Sequence, residues 1–430
     1  MDMLVMSLAL MILGQAGGEV TASRVDMGIR LRVMDAAWVK ADAAKKKQAM
    51  PLVNRAVMGF FSGQFGPVCQ QLDQATAILE GRTPRAGEEL IFRVKPQIYE
   101  PGETVEVTIA RAYAGAGSLT LKWEGQEFMV PASGAVVRQV KTQDRAIAMI
   151  YPPFHESVRG TENFSVGDVQ FDSGSAWLVG AKDWGSKGAP AIGIKQGLAR
   201  VAHPHWNEVA RQLSAGRLGG LESPFTVADA AARAESTVPE VQKDLMPVYA
   251  RWESTVIRVS GGSGPFDKPS KYKRVLIALH GAGGSENMFP ESYGAGGFID
   301  RAVKDGWLVL SPRASGNAVS DCRAWLAAQG VKMEKLVIAG HSMGGGLALG
   351  AAADDVDAIV VFAPAGGKMP EGIPVFVGLG AGEMAMLKGT VEALGKQATE
   401  FKTYENAEHL MVVAEGMDDA WKFVRRVTGD

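Results

Sequence analysis

Cysteine is almost absent from this chain of 430 residues, Cys69 and Cys322 being the only two. A pair so far apart builds neither a disulfide framework nor a thiolate metal site, and both are expected to be lone buried or half-buried thiols. Charge of one sign is also scarce: 45 Lys and Arg against 47 Asp and Glu leave a formal net charge of −2, which offers no general attraction for nucleic acid. The cluster Lys45-Lys46-Lys47 reads as a solvated helix face. Long hydrophobic runs are missing too. The apolar run at residues 4–13 (LVMSLALMIL) is ten residues long, about half of what a bilayer-spanning helix needs. Neither a P-loop nor a zinc-ligand spacing occurs, so no cofactor is implied. What is abundant is ordinary globular material: 47% hydrophobic and 21% charged residues suffice for buried cores, and the length suggests two or three domains.

The run at 4–13 is followed by Gly14-Gln15-Ala16, small residues at the positions a signal peptidase reads, although Asp2 precedes it and no Lys or Arg does. Export to a periplasmic or extracellular space, with residues 1–16 removed, is the expectation; a buried first helix of a cytoplasmic protein is the alternative.

From 19 to 85 the pattern is helical. Met27, Leu31, Met34 and Trp38 fall on one helical face, and Val68, Leu72, Ala75 and Leu79 form a second stripe stopped by Gly81. Pro51 and Pro67 stand where helices could begin. The period then changes. Residues 90–94, 104–109, 118–123 and 136–140 are β-rich and separated by turn signals such as Glu100-Pro101-Gly102-Glu103, which predicts a β-sandwich-like domain over 86–180. A helical linker region, 181–252, follows; its His203-Pro204-His205-Trp206 run reads as a helix start with a packed Trp rather than a metal cluster. From 253 to 430 strands alternate with helices, at 255–259, 275–279, 307–310, 336–339, 358–362, 374–379 and 400–404. The inner strands are continuous apolar runs, so they belong to an α/β unit with a mostly parallel sheet covered on both faces.

Chemistry concentrates in this last unit. Gly340-His341-Ser342-Met343-Gly344 matches G-x-S-x-G directly after an apolar strand and before a helical run. A serine on so sharp a strand-to-helix turn has strained backbone angles, and side chains two positions to either side would collide. Leu279-His280-Gly281-Ala282-Gly283-Gly284 also follows an apolar strand. A glycine-rich loop of this kind can bring backbone N–H groups to the oxyanion of a tetrahedral intermediate, and the amides of Ala282 and Met343 are the candidates. His280, at a strand end, is expected to anchor the loop rather than transfer protons.

HGAGG followed by GHSMG resembles the α/β-hydrolase superfamily, especially its carboxylesterase, phospholipase and feruloyl-esterase-like members, over about residues 253 to 430. The resemblance implies a triad in the chain order serine, acid, histidine. Only one histidine, His409, follows Ser342, just past the last predicted strand, where the superfamily carries its base. Nine carboxylates lie between the two. The resemblance places the acid after the strand PVFVGLG, where Gly380-Ala381-Gly382-Glu383 has glutamate instead of the usual aspartate. Glu383 is therefore the favoured acid; Asp354, Asp355 and Asp357 precede a strand at the wrong sheet edge, and Glu405 and Glu408 flank the histidine loop. Only about a dozen residues separate the strands at 358–362 and 374–379, too few for an inserted helical cap, so the site is expected to be open unless upstream modules cover it.

The implied activity is hydrolysis of a carboxylic ester, small or polymer-borne, through an acyl-enzyme on Ser342, with no nucleic-acid partner and no transmembrane span. Two alternatives stand beside it: an amidase or peptidase resembling the prolyl-oligopeptidase group, and a catalytically silent binding protein on a hydrolase fold. If residues 1–16 are removed on export, the intact mass of the native protein should correspond to a chain beginning near Gly17; a mass retaining Met1 to Ala16 would contradict export by this route.

Overall fold

The computed structural model describes residues 20–95, 104–115, 117–123, 126–141, 162–166, 169–173, 249–253, 255–261 and 268–429. The run at 4–13, the His203–Trp206 cluster and nearly all of 181–252 lie outside them.

Among the described residues three helices come first: α1 (Arg24–Lys40), α2 (Ala43–Phe61) and α3 (Phe65–Glu80). The predicted stripe Met27, Leu31, Met34 and Trp38 is buried on α1, and Val68, Leu72, Ala75 and Leu79 are buried on α3. Asp42 caps α2 by accepting from the Lys45 N–H at 2.9 Å. Gly81, at φ 72°, ends α3 in the left-handed conformation that glycine adopts without strain. Pro51 does not begin a helix; it lies inside α2. It is tolerated because it sits on the exposed face, where the Lys47 carbonyl that loses its partner also belongs to an exposed residue.

The described residues of the β-rich region form two antiparallel sheets. One joins β1 (Leu90–Lys95), β2 (Thr104–Arg111) and β5 (Val136–Lys141); the other runs β4 (Gln126–Val130), β3 (Leu119–Trp123), β6 (Glu162–Val166), β7 (Val169–Ser173). A buried polar network ties the first sheet to the helices. Arg30 on α1 bonds Asp73 on α3 at 2.8 Å and donates to the carbonyls of Glu88 and Leu90, while the Tyr113 hydroxyl donates to the same Asp73 oxygen.

The last unit comprises, in chain order, β8 (Tyr249–Trp252), β9 (Thr255–Ser260), β10 (Arg274–Leu279), α4 (Met288–Glu291), α5 (Gly297–Lys304), β11 (Leu308–Pro312), α6 (Ala318–Ala328), β12 (Lys335–His341), α7 (Met343–Gly350), β13 (Ala358–Phe362), β14 (Val375–Gly380), α8 (Ala385–Gly395), β15 (Glu400–Tyr404) and α9 (Val412–Thr428). The sheet begins at β8, ahead of the first predicted strand, because β8 and β9 form a hairpin. Its order is β15-β14-β13-β12-β10-β11-β9-β8, parallel from β15 to β11 and antiparallel at β9 and β8. The pleat sorts side chains between two helical layers. Leu276, Val337, Val360 and Phe376 face one core with α5 and α9, and their neighbours Ile277, Ile338, Ile359 and Val377 face the other with α6 and α8. From β10 the chain moves outward to β11, then returns to lay β12 on the opposite side of β10. The crevice of an open α/β sheet forms at such a reversal, beyond the carboxyl ends of the strands. Both glycine-rich motifs lie there. With the serine turn after β12 and the glycine loop after the third strand, this unit has the α/β-hydrolase fold.

The three N-terminal helices share a continuous core with the α5–α9 side of this unit. Trp38 Nε1 donates to Glu415 at 2.9 Å, Lys46 pairs with the same carboxylate, and the Asn54 amide reaches the Gly382 carbonyl at 3.4 Å. Asp35 is buried at this junction, accepting from the Gly294 N–H at 3.4 Å, and its Oδ2 has no partner among the described residues.

Burial pushes the Asp35 carboxyl up to about 7 from 3.8, with Glu408 adding to the rise and bonds from Gly294, Tyr293 and Ser292 opposing it. Between those values the folded state keeps a proton that the unfolded chain has released. Stability should therefore fall as pH rises from about 4 to about 7 and level off above, by up to about 4 kcal/mol from this group. Asp35→Asn removes that slope. The thermal midpoint of the variant should exceed that of the wild type by a margin that widens from pH 4 to 7; a constant margin would show that Asp35 folds in its ionised form.

Candidate active site

Three loops at the carboxyl ends of β10, β12 and β14, with the loop after β15, converge on Ser342. The serine has φ 53° and ψ −118°, a conformation costing a non-glycine residue about 1–3 kcal/mol. Neighbouring backbone holds it there. Its N–H donates to the Phe362 carbonyl at 2.9 Å, and its own carbonyl accepts from Gly345, Gly346 and Ala365. The flanking glycines are required by contact rather than flexibility. A β-carbon on Gly340 would lie 2.1 Å from the Gly344 carbonyl oxygen, and one on Gly344 would lie 2.0 Å from that of Leu279.

His409 Nε2 is 3.0 Å from Ser342 Oγ, and His409 Nδ1 is 2.9 Å from Glu383 Oε1. A carboxylate only accepts, so Nδ1 carries the proton and Nε2 is left to accept from the serine hydroxyl. The side chain of Glu383 is fully buried and that of His409 nearly so. Glu383 Oε1 also accepts from the Met384 N–H at 2.9 Å, while Oε2 has no partner among the described residues. The longer glutamate arm fits because its turn sits directly on the histidine loop: the Gly382 N–H donates to the Ala407 carbonyl at 2.9 Å, and a β-carbon on Gly380 would lie 2.7 Å from that oxygen.

The glycine loop after β10 reaches the serine from the other side. A β-carbon on Gly281 would lie 3.2 Å from that of Ser342. The Ala282 N–H donates to no described residue, and Met343 is the first residue of α7, where N–H groups have no intrahelical acceptor. Ala282 and Ser342 line one cleft of about 620 Å³ of empty space, open solvent at its mouth included. His280 Nε2 accepts from the Ala314 N–H at 2.9 Å, which leaves Nδ1 to donate to the Gly281 carbonyl at 2.7 Å. Burial lowers its pKa to about 4, with Arg313 adding to the effect. It thus joins the glycine loop to the loop after β11 as a neutral ring.

Two participants were given no role by the sequence: Tyr293, which carries no signal there, and His341, which stands in the serine motif. Tyr293, in a left-handed turn at φ 51°, accepts from the Gly281 N–H at 3.1 Å, and its hydroxyl lies 2.8 Å from His341 Nδ1. His341 Nε2 in turn lies 2.7 Å from the carbonyl of His409. A carbonyl only accepts, so His341 donates from Nε2 and takes the tyrosine proton at Nδ1. Burial, then the neighbouring His409, holds the pKa of His341 well below the usual value, so it stays neutral. The result is one directed chain, Gly281 to Tyr293 to His341 to His409, linking the glycine loop to the backbone of the histidine loop.

Glu408 flanks that loop and also shapes it. It is wholly buried and accepts from the N–H groups of Leu410 and Met411, each at 2.8 Å, just ahead of α9. Burial, with Glu383 contributing, pushes it up to about 7. Asp357 lies at the amino end of the sheet, bonded to Lys335 and the Leu336 N–H, far from the serine turn. Cys69 and Cys322 are buried and free. Among the described residues no cluster of His, Cys, Asp or Glu could hold a metal ion, and no helix is long and apolar enough to cross a membrane.

No protein-family model matches the sequence, and no curated protein matches it. Among solved structures the chain is similar to Est1E from Butyrivibrio proteoclasticus, with 14% identity and a TM-score of 0.35 over 42% of this chain and 98% of that one. It is similar to a CIB-like hydrolase from Thermoplasma acidophilum, with 16% identity and a TM-score of 0.34 over 42% of this chain and 98% of that one. A third is Thermogutta terrifontis esterase 2 phosphorylated by paraoxon, with 16% identity and a TM-score of 0.32 over 41% of this chain and 90% of that one. The strand order and the serine turn, not these similarities, define the fold.

Tyr293→Phe deletes the central hydroxyl of the chain, leaving a buried imidazole nitrogen and a buried amide without a partner. Stability should drop by about 1–3 kcal/mol, measured by urea denaturation, whereas an unchanged midpoint would mean that water replaces the hydroxyl.

Proposed function

We propose that the protein is a serine hydrolase acting on carboxylic esters, with Ser342 as nucleophile, His409 as general base and Glu383 as the acid that orients it. The observation carrying this reading is the buried relay Ser342–His409–Glu383, with distances of 3.0 and 2.9 Å, on a strained turn. His409 Nε2 takes the Oγ proton as Oγ bonds to the ester carbonyl carbon. The oxygen that gains the electron pair is held by the N–H groups of Ala282 and Met343, the latter at the positive end of α7. Collapse of the tetrahedral intermediate breaks the bond to the alcohol, which leaves with the proton from Nε2. His409 then deprotonates a water that attacks the acyl-enzyme, and the acid is released. Glu383 keeps the imidazole in the Nδ1–H form and stabilises its cation; its unpartnered Oε2 leaves His409 as the main recipient of that charge.

The neutral His341 does not compete for the serine proton, and its bond to the His409 carbonyl holds the base loop against the serine turn. A catalytically silent scaffold has no use for a strained serine hydrogen-bonded to a carboxylate-backed histidine, and this disfavours the binding-protein alternative.

With p-nitrophenyl acetate, Glu383→Gln should lower kcat by about 10⁴-fold, the loss that the equivalent change causes in serine proteases. Ser342→Ala and His409→Ala should lose at least as much, and the double variant little more, because members of one relay fail together. A fluorophosphonate should label wild type and not Ser342→Ala. Labelling that survives Ser342→Ala, or turnover of an aryl amide faster than that of the matching ester, would refute the reading.

A further inference from the structure

Part of the wall of the cleft that holds Ser342 does not belong to the hydrolase sheet. Leu31 of α1, Val57 and Phe60 of α2 and Leu72 of α3 are among the residues that build it, and among the described residues all those of the three helices that line the cleft are apolar. The hydrolase unit supplies no helical cap of its own between β13 and β14, where residues 363–374 form no helix. The contact with the catalytic loops is close. A β-carbon on Gly283 would lie 2.3 Å from the Phe60 ring, which also carries the Arg24 guanidinium 5.2 Å from its centroid. Gly283 is in the left-handed region at φ 73°, so a side chain there is excluded both by backbone and by Phe60. On the catalytic side, the hydroxyl of Tyr293 and both ring nitrogens of His341 are consumed by the chain that links the loops. Among the described side chains that line the cleft, the polar ones left for a ligand are those of the reaction itself.

Resting on the esterase reading above, we propose that the N-terminal three-helix unit is the acyl-binding cap of this hydrolase and that it selects an uncharged, apolar acyl group. Such a group gains hydrophobic free energy along the wall, while a carboxylated or polyhydroxylated one is stripped of water with no partner in return. The leaving alcohol must lie beside His409, which protonates it. The acyl group stays attached to Ser342 on the side of the glycine loop, where Phe60 packs. Selectivity then resides in residues that precede the nucleophile by most of the chain.

The test uses the full-length protein and two ester series. One lengthens the acyl group from acetate to octanoate on p-nitrophenol; the other lengthens the alcohol of an acetate. In wild type, kcat/KM should rise by up to about fourfold per acyl methylene while the chain runs along the wall, and depend little on alcohol length. Val57→Phe fills the cleft and should lower the hexanoate-to-acetate ratio at least tenfold, mainly through KM; Leu31→Ala enlarges it and should shift the preference to longer chains. Misfolding cannot produce shifts in opposite directions. Failure of a fluorophosphonate to label Ser342 in wild type would sink the esterase reading itself. A labelled enzyme whose acyl profile is the same in wild type and both variants, or whose selectivity follows the alcohol instead, would overturn the cap.

Discussion

Gly344 passes so close to the end of β10 that a β-carbon there would lie 2.0 Å from the Leu279 carbonyl oxygen and 2.6 Å from that of His280. This contact presses the strand-to-helix turn after β12 against the neighbouring strand, and the rest of the site depends on it. It fixes Ser342 in its unfavourable φ and ψ, because relaxation of the turn would have to move two central strands of a sheet whose side chains are buried on both faces. It also brings the glycine loop, which leaves the sheet at the same point, within van der Waals reach of the serine.

Precision at the serine is extended to the other loops by hydrogen bonds between groups that have no alternative. The His409 carbonyl, His341, the Tyr293 hydroxyl and the Gly281 N–H are all buried, and each bond leaves its partner one remaining role. The same logic fixes His280 between Gly281 and Ala314. Burial keeps both rings neutral, so this scaffold persists without carrying charge next to His409. Glu408 shapes the histidine loop from beneath by accepting its backbone N–H groups.

The helical unit is integrated with this machinery rather than appended to it. Its buried stripe completes the core on the α9 side of the sheet, its Asn54 bonds the turn that bears Glu383, and its Phe60 lies on the glycine loop. Through Arg30 and Asp73 the same helices are tied to the first β-sheet. Removing them would expose a large part of the apolar core shared with the hydrolase unit.

Local pattern was enough for much of this molecule. Continuous apolar runs gave the inner strands β10 to β14, because a strand covered on both faces has no polar side to show. Helical stripes gave α1 and α3, and Gly-x-Ser-x-Gly marked its own turn, because no other residue fits the flanking positions. With a single histidine after Ser342, the sequence alone left one base to consider. The short strands β4, β6 and β7 and the hairpin strand β8 have too little alternation to stand out, and Pro51 reads as a helix start because its exposure inside α2 depends on what the helix packs against. Tyr293 and the inward turn of Glu408 are likewise unreadable in sequence, since their roles consist of contacts with distant segments. The largest feature decided only by tertiary structure is the covered cleft: a hydrolase unit with no room for an inserted cap receives its apolar wall from helical residues 270 to 315 positions upstream of the serine. Sequence spacing states what a segment can bury, but the surface it is buried against is chosen by the packing of the whole chain.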